Sequence, residues 1–328
     1  MQLPKFTYHE PTTVEEACSL LSTYKEEAKI LAGGTDLLVL MKQRVATPPH
    51  VVNLKMIPGL ASIKEEHNGL SIGPLTTLRD IKTSPVVQQH FPILAQAASS
   101  VATQQIQTTA TLGGNLCLDA KCWYFNQSHI WRKSREACFK RGGEVCHVMK
   151  GGKRCYAVLS GDTIPALLAL NAAIQVTSAK RTRTIPLDAF YTGKGETPNV
   201  LKSEEIVTEI KVPFLPAHTN AAFAKHSIRS ALEFAVADVA CVTSGNGTCT
   251  DARIVIGSVG PAVVRAKEAE ELLKGHALNP ELLEEVGKAA VKAVRLVSGA
   301  QHSVYYRRKI IDALTKRVVQ QAREGGAA

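Results

Sequence analysis

The junction LAGGTD, residues 31–36, limits the fold more than any other part of the sequence. AKILA, a short apolar run of the length of a buried strand, leads into it, and TDLLVLMKQR leaves it with apolar residues at helical spacing. A glycine pair between strand and helix turns the backbone tightly and lets its N–H groups approach a ligand where the helix end favours negative charge. Neighbouring segments extend the alternation. TTVEEACSLLSTY reads as a helix behind a threonine cap and PHVVNLK as another strand, together a βαβ-like unit of about 55 residues.

A second junction, TLGGNL at 111–116, repeats the shape. A pyrophosphate fits that description, but neither turn matches G-x-G-x-x-G or the phosphate loop G-x-x-x-x-G-K-[ST], so a Rossmann or NTPase reading loses its usual support. Between and after the turns, GLSIGPLTTLRDI reads as a strand entering a helix and FPILAQAASSVAT as a buried helix. YAVLSGDTIPALLALNAAIQVTS gives strand, turn, helix and strand, and AKRTRTIPL a basic strand. After KVPFLPAHT the texture changes: AAFAKHSIRSALEFAVADVACVTSG and CTDARIVIGSVGP read as long strands, followed by three amphipathic helices. A domain boundary is expected near residue 215, and 328 residues suit two or three domains. No apolar run reaches the roughly 18 residues of a membrane helix, and the start lacks the layout of a signal peptide. The expectation is a cytoplasmic protein without a membrane partner.

Residues 122–155, CWYFNQSHIWRKSREACFKRGGEVCHVMKGGKRC, hold four of the eight cysteines and both tryptophans. From Lys121 to Cys155 nine basic residues stand against Glu136 and Glu144, which leaves +3 of the net +10 for the rest of the chain. Such local basicity points to one anionic object, whether a cofactor, a cluster or an acidic partner, rather than to nucleic acid. Cys122, Cys138, Cys146 and Cys155 are separated by 15, 7 and 8 residues. Disulfides belong to oxidising compartments and leave the charge unexplained. Zinc usually takes C-x-x-C pairs, which are absent here; a [4Fe-4S] cluster needs four thiolates and tolerates irregular spacing when a loop wraps it. Spacing alone does not choose between them, and a zinc-stabilised nucleic-acid-binding module stays as the remote alternative. His129 and His147 are alternative ligands in principle. Trp123, Tyr124, Phe125 and Trp131 either exclude water from a redox centre or simply pack the insert. Cys18, Cys117, Cys241 and Cys249 read as buried thiols.

ILAGGTDLLVLMK, SIGPLTTLRDI, TATLGGNLC, GDTIPALLALNA, EEIVTEIKVP, AKHSIRS, VRAKEAEELLKG and YYRRKIIDAL follow one another along the chain. This ordered set resembles the FAD-binding medium subunits of the molybdenum hydroxylases, the group of xanthine dehydrogenase, carbon monoxide dehydrogenase, aldehyde oxidoreductases and 4-hydroxybenzoyl-CoA reductase. The resemblance implies an α+β chain: a p-cresol methylhydroxylase-type FAD-binding domain over 1–215, with α/β subdomains 1–55 and 56–215, then a C-terminal α+β domain over 216–328. It places the FAD pyrophosphate and ribityl chain against Ile30, Leu31, Ala32, Gly33, Gly34, Thr35, Asp36 and Leu37. Thr111, Gly113, Gly114 and Asn115 form the second side of that cradle. Asp162 matches a carboxylate on the ribose or adenosine side, Val101 and Val207 apolar positions near the adenine and the ring system, and Lys225 a lysine beside the flavin.

Between Asn115 and Asp162 lie 46 residues, where most relatives have a much shorter connection. The insert spans 118–157. CWYF and ACFKR…VC resemble the 4-hydroxybenzoyl-CoA reductase branch, and this implies a [4Fe-4S] cluster on Cys122, Cys138, Cys146 and Cys155. The implied function is electron transfer: ferredoxin to the cluster, then FAD, then [2Fe-2S] and molybdenum centres in partner subunits, with no catalytic residue in this chain. Lys133, Arg135 and Lys140 are the residues expected to dock the ferredoxin. A large molybdopterin subunit and a small [2Fe-2S] subunit are the implied partners, as a dimer of heterotrimers. The alternative is a subunit of an aldehyde or purine dehydrogenase, in which electrons run outward through FAD.

Overall fold

Strands β1 (Thr7–His9), β2 (Ala28–Leu31) and β3 (His50–Asn53) form a parallel sheet in the order β1-β3-β2 in the computed structural model, which describes residues 2–296 and 302–325. Helix α1 (Val14–Tyr24) connects the first two strands, and the Thr13 hydroxyl caps it by accepting from the Glu16 N–H at 3.1 Å. Its Ala17, Cys18 and Leu21 pack with Ala28 and Val52 of the sheet. Helix α2 (Leu37–Lys42) follows the glycine pair. The short β1 has no periodic signal; pairing with β3 is what makes it a strand.

The second sheet is antiparallel: β4 (Ile63–Glu66), β5 (Gly69–Ile72), β6 (Ala173–Thr177), β7 (Thr182–Pro186) and β8 (Ile206–Pro213), in the order β4-β5-β8-β6-β7. Five helices, α3 (Leu78–Thr83), α4 (Pro85–His90), α5 (Pro92–Ser99), α6 (Gln104–Gln107) and α7 (Leu112–Leu116), lie between β5 and the insert. The insert contains α8 (His129–Lys133), and α9 (Thr163–Ala169) follows it. Ile72, Ile174 and Ile210 of the sheet share a core with Leu94 of α5 and Leu167 of α9.

A third, antiparallel sheet runs β12-β11-β10-β9, with β9 (Thr219–His226), β10 (Ala237–Ser244), β11 (Asp251–Gly257) and β12 (Val264–Arg265). Helices α10 (Lys267–Leu273), α11 (Pro280–Ala293) and α12 (Val304–Arg323) cover one face, where Val239, Cys241 and Ile254 meet Val286 and Ile311. The other face joins the core of the second sheet through Ala240, Val242 and Val255. Seven of the eight β10 residues are therefore buried, and the strand lacks the alternation of a half-exposed one. The stretch read as one long strand is two: residues 227–236 leave the sheet and return, closed by the Val236 N–H donating to the His226 carbonyl at 2.8 Å. No helix among the described residues is long and apolar enough to cross a membrane.

Candidate functional site: a cleft between two sheets and a four-thiol insert

A cleft of ≈ 530 Å³ lies where the first sheet meets the second, within the range of small-molecule and cofactor sites. Ile30, Ala32, Gly33, Gly34, Thr35, Asp36 and Leu37 line it from the first glycine junction; Thr111, Gly113, Gly114 and Asn115 line it from the second. The two junctions touch. A Cβ built on Gly33 would stand 2.0 Å from the Thr109 carbonyl oxygen, so only glycine lets the two backbones approach this closely. The second junction is not a turn but the short helix α7, capped by the Thr111 hydroxyl, which accepts from the Gly114 N–H at 3.1 Å.

Val101, Asp162 and Val207 line the same cleft, whereas Leu31 and Lys225 do not. The Leu31 side chain points away and packs with Met41 and Val51, because alternate strand residues face opposite sides. Lys225 supports the wall from behind. Its ammonium donates to Asp162 Oδ2 at 2.6 Å and to the Ser100 and Glu233 carbonyls at 2.9 and 3.0 Å. Asn115 Oδ1 accepts from the Thr163 N–H and hydroxyl, tying α7 to the start of α9. Sequence reasoning missed Pro74, Ala110, Leu201, Glu205 and the loop residues Leu232, Glu233 and Phe234, which also line the cleft. Pro74, Ala110 and Glu205 lie within the quoted motifs SIGPLTTLRDI, TATLGGNLC and EEIVTEIKVP; the loop carries no local signal. Cys117 lines the cleft too, its thiol pushed up to about 12 by burial. The glycine contact and the size of the cleft fit an elongated dinucleotide such as FAD.

The insert opens beside this cradle. Lys121 and Val158 exchange both backbone hydrogen bonds, 2.7 and 2.8 Å, so the excursion leaves and returns at one point, and the Lys121 ammonium pairs with Asp36. Cys122, Cys138, Cys146 and Cys155 are free thiols lining one small cavity, with Tyr124, Phe125, Phe139, Lys140 and His147 around them. Among the described residues no three His, Cys, Asp or Glu converge as a single metal ion requires. Burial raises the Cys122 thiol and pushes the Cys155 thiol up to about 12. The fully hydrophobic part is small: Ala120, Cys155 and Ala157, with Cys122 and Phe139 against them. Lys140 corrects one expectation. Its side chain is 5% exposed, its ammonium bound to Asp119 at 2.6 Å and to the Ala120 and Gly195 carbonyls, so it is out of a partner's reach. Lys133 and Arg135 are exposed, Arg135 stacked over Trp131 at 4.3 Å.

Paired sheets, a cleft between two glycine junctions and a helix-covered third sheet define a protein built to hold an elongated dinucleotide. The family model for the FAD binding domain in molybdopterin dehydrogenase matches residues 4–215, and that for the CO dehydrogenase flavoprotein C-terminal domain matches 222–322. The chain belongs to the FAD-binding medium subunits of the molybdenum hydroxylase family. It is 30% identical to the nicotine 6-hydroxylase medium subunit of Paenarthrobacter nicotinovorans, over 98% of this chain and 99% of that one. It is 29% identical to the carbon monoxide dehydrogenase medium chain of Hydrogenophaga pseudoflava, covering 97% of each. The solved carbon monoxide dehydrogenase of Hydrogenophaga pseudoflava superposes with a TM-score of 0.81 at 29% identity over 98% of each chain, and that of Oligotropha carboxidovorans with 0.83 at 26% over 99%.

Proposed function

We propose that this chain carries FAD as the electron-transfer subunit of a molybdenum dehydrogenase, and that electrons leave the complex through it. The observation that carries the flavin assignment is the single cleft lined by both glycine junctions. In this reading the Gly33–Thr35 backbone N–H groups and the α7 junction hold the diphosphate, Asp162 receives a ligand hydroxyl, Val101 and Val207 flank the apolar rings, and Lys225 fixes Asp162. FAD, when bound, supplies a centre that exchanges electrons singly or in pairs, and a [4Fe-4S] cluster one that exchanges them singly. The outward direction is supported by the relatives, whose names include nicotine 6-hydroxylase, xanthine dehydrogenase and carbon monoxide dehydrogenase subunits. A large molybdopterin subunit and a small [2Fe-2S] subunit, paired as two heterotrimers, complete the proposed complex. Residues 1–215 form its flavin domain in this reading.

The second reading reverses the flow, as in a 4-hydroxybenzoyl-CoA reductase, and rests on the insert. Thirty-odd residues with so small an apolar core need a cross-link to hold one shape, and four free thiols around one cavity supply the donors for a [4Fe-4S] cluster. Exposed Lys133 and Arg135 then face an acidic ferredoxin. Steady-state assays of the purified complex with NAD, quinones and reduced ferredoxin separate the two. Turnover with NAD or quinone as acceptor supports the first; turnover only with reduced ferredoxin as donor, lost at high salt, supports the second.

A further inference from the structure

Behind the cleft, four elements bury a set of polar groups that the flavin assignment leaves unused. Asp238 on β10 pairs across the sheet with Lys225 on β9 and with Gly257 on β11. It is fully buried, and Asp162, at the start of α9, is 3% exposed. Lys225 binds Asp162 Oδ2, while the Ser258 hydroxyl donates to Asp238 Oδ2 at 3.1 Å. One oxygen of each carboxyl, Oδ1, is left without a donor. Asp238 Oδ1 lies against the first turn of α9, since a Cβ on Gly257 would meet both it and Pro165, and Lys225, its cross-strand partner, is also the ion-pair partner of Asp162. Two carboxylates only accept, so a proton held between the two carboxyls is the donor that their orphaned oxygens lack. Gly257 makes the room: a Cβ there would stand 2.2 Å from Asp238 Oδ1. The other cation facing the group is Arg307 of α12, whose guanidinium meets the Ser258 carbonyl at 3.4 Å and not Asp238 itself.

We infer that Asp238 is a neutral carboxylic acid that donates its proton to Asp162, making it a positioning residue of the flavin cleft. One ammonium, Lys225, then balances one carboxylate, Asp162, and the wall presents no net charge to an anionic ligand. Burial raises both carboxyls, Asp238 well above the usual range with the neighbouring Asp162 charge adding to the rise; at Asp162 the Lys225 ammonium opposes the rise, so of the two Asp162 is the one that ionises first. When the proton leaves at high pH, the wall that receives the ligand hydroxyl gains a negative charge, and the affinity for the anionic FAD falls. Asp238→Asn keeps a donor toward Asp162 but has no proton to lose.

The inference rests on the flavin reading only in its second half, and the test divides accordingly. Infrared spectra of the flavin-free full chain at neutral pH are expected to show a protonated-carboxyl band that is lost in Asp238→Asn. FAD titrations are expected to weaken several-fold toward alkaline pH in the wild type and to stay flat in Asp238→Asn. Absence of the band in the wild type, or its persistence in the variant, overturns the inference. If Asp238→Asn does not fold, Ser258→Ala decides: loss of that donor shifts the band, and an unmoved band overturns the inference. A chain that shows the band but takes up no FAD sinks the flavin reading alone.

Discussion

Single residues in this chain are constrained by what stands against them more than by their own type. Gly33 illustrates the point: its missing Cβ is where the Thr109 carbonyl lies, so Gly33→Ala pushes the two junctions apart. We expect about 1–3 kcal/mol of lost stability and loss of FAD binding, read by denaturant melts and flavin absorbance; a variant that binds FAD normally contradicts the cradle. Asp238 carries the opposite kind of constraint, a proton instead of a shape. Its carboxyl is ionised above about pH 4 in the unfolded chain but retains the proton when folded. Folding therefore takes up a proton, and its contribution is full below the unfolded value and is lost as pH rises toward the folded one. Melts from about pH 5 to 8 are expected to show wild-type stability falling relative to Asp238→Asn as pH rises; parallel curves contradict it. The glycine turns had a local chemical reason in the sequence, and Asp162 entered only through the resemblance; the fold brings them to one cleft. Asp238 was not legible, since a carboxylate in an apolar strand has meaning only beside Asp162, 76 positions away in the chain.

Among the elements, those with a period of their own were readable: α1, α2, β2, β3, α11 and α12 fall where apolar spacing puts them. What escaped was decided by neighbours. Three-residue β1 exists through β3, α7 forms because Thr111 caps a run with two glycines, and β10 is buried on both faces by helices from two parts of the chain. The insert is a separable element, because Lys121 and Val158 already bond to each other at its base. Replacing 122–157 with Asn-Gly is expected to leave FAD uptake intact and to abolish iron binding; loss of flavin would show that the insert builds the cleft. Within it, Lys140 places a buried cation beside the thiols. Lys140→Met is expected to lower the midpoint potential of the cluster in a redox titration and to leave flavin uptake unchanged, because removal of a nearby positive charge disfavours the added electron. An unaltered potential would separate Lys140 from the cluster.

At the scale of the whole molecule, the chain sets the flavin-type cleft and the four-thiol cavity side by side, linked by the Lys121–Asp36 ion pair. That pair joins the base of the insert to the rim of the cleft, so the two sites hold a fixed relation through a fold in which one core runs from the second sheet into the third. The overall class was readable from the order of motifs, while the meeting of the two glycine junctions needed the folded chain. The most direct measurement is cofactor analysis of the anaerobically purified protein: FAD, iron, zinc and acid-labile sulfide per chain, with an absorption spectrum. The expected result is one FAD with four irons and four sulfides, the latter lost in Cys122→Ser while the flavin stays. A protein that holds no flavin at saturating FAD, or zinc in place of iron, would contradict it.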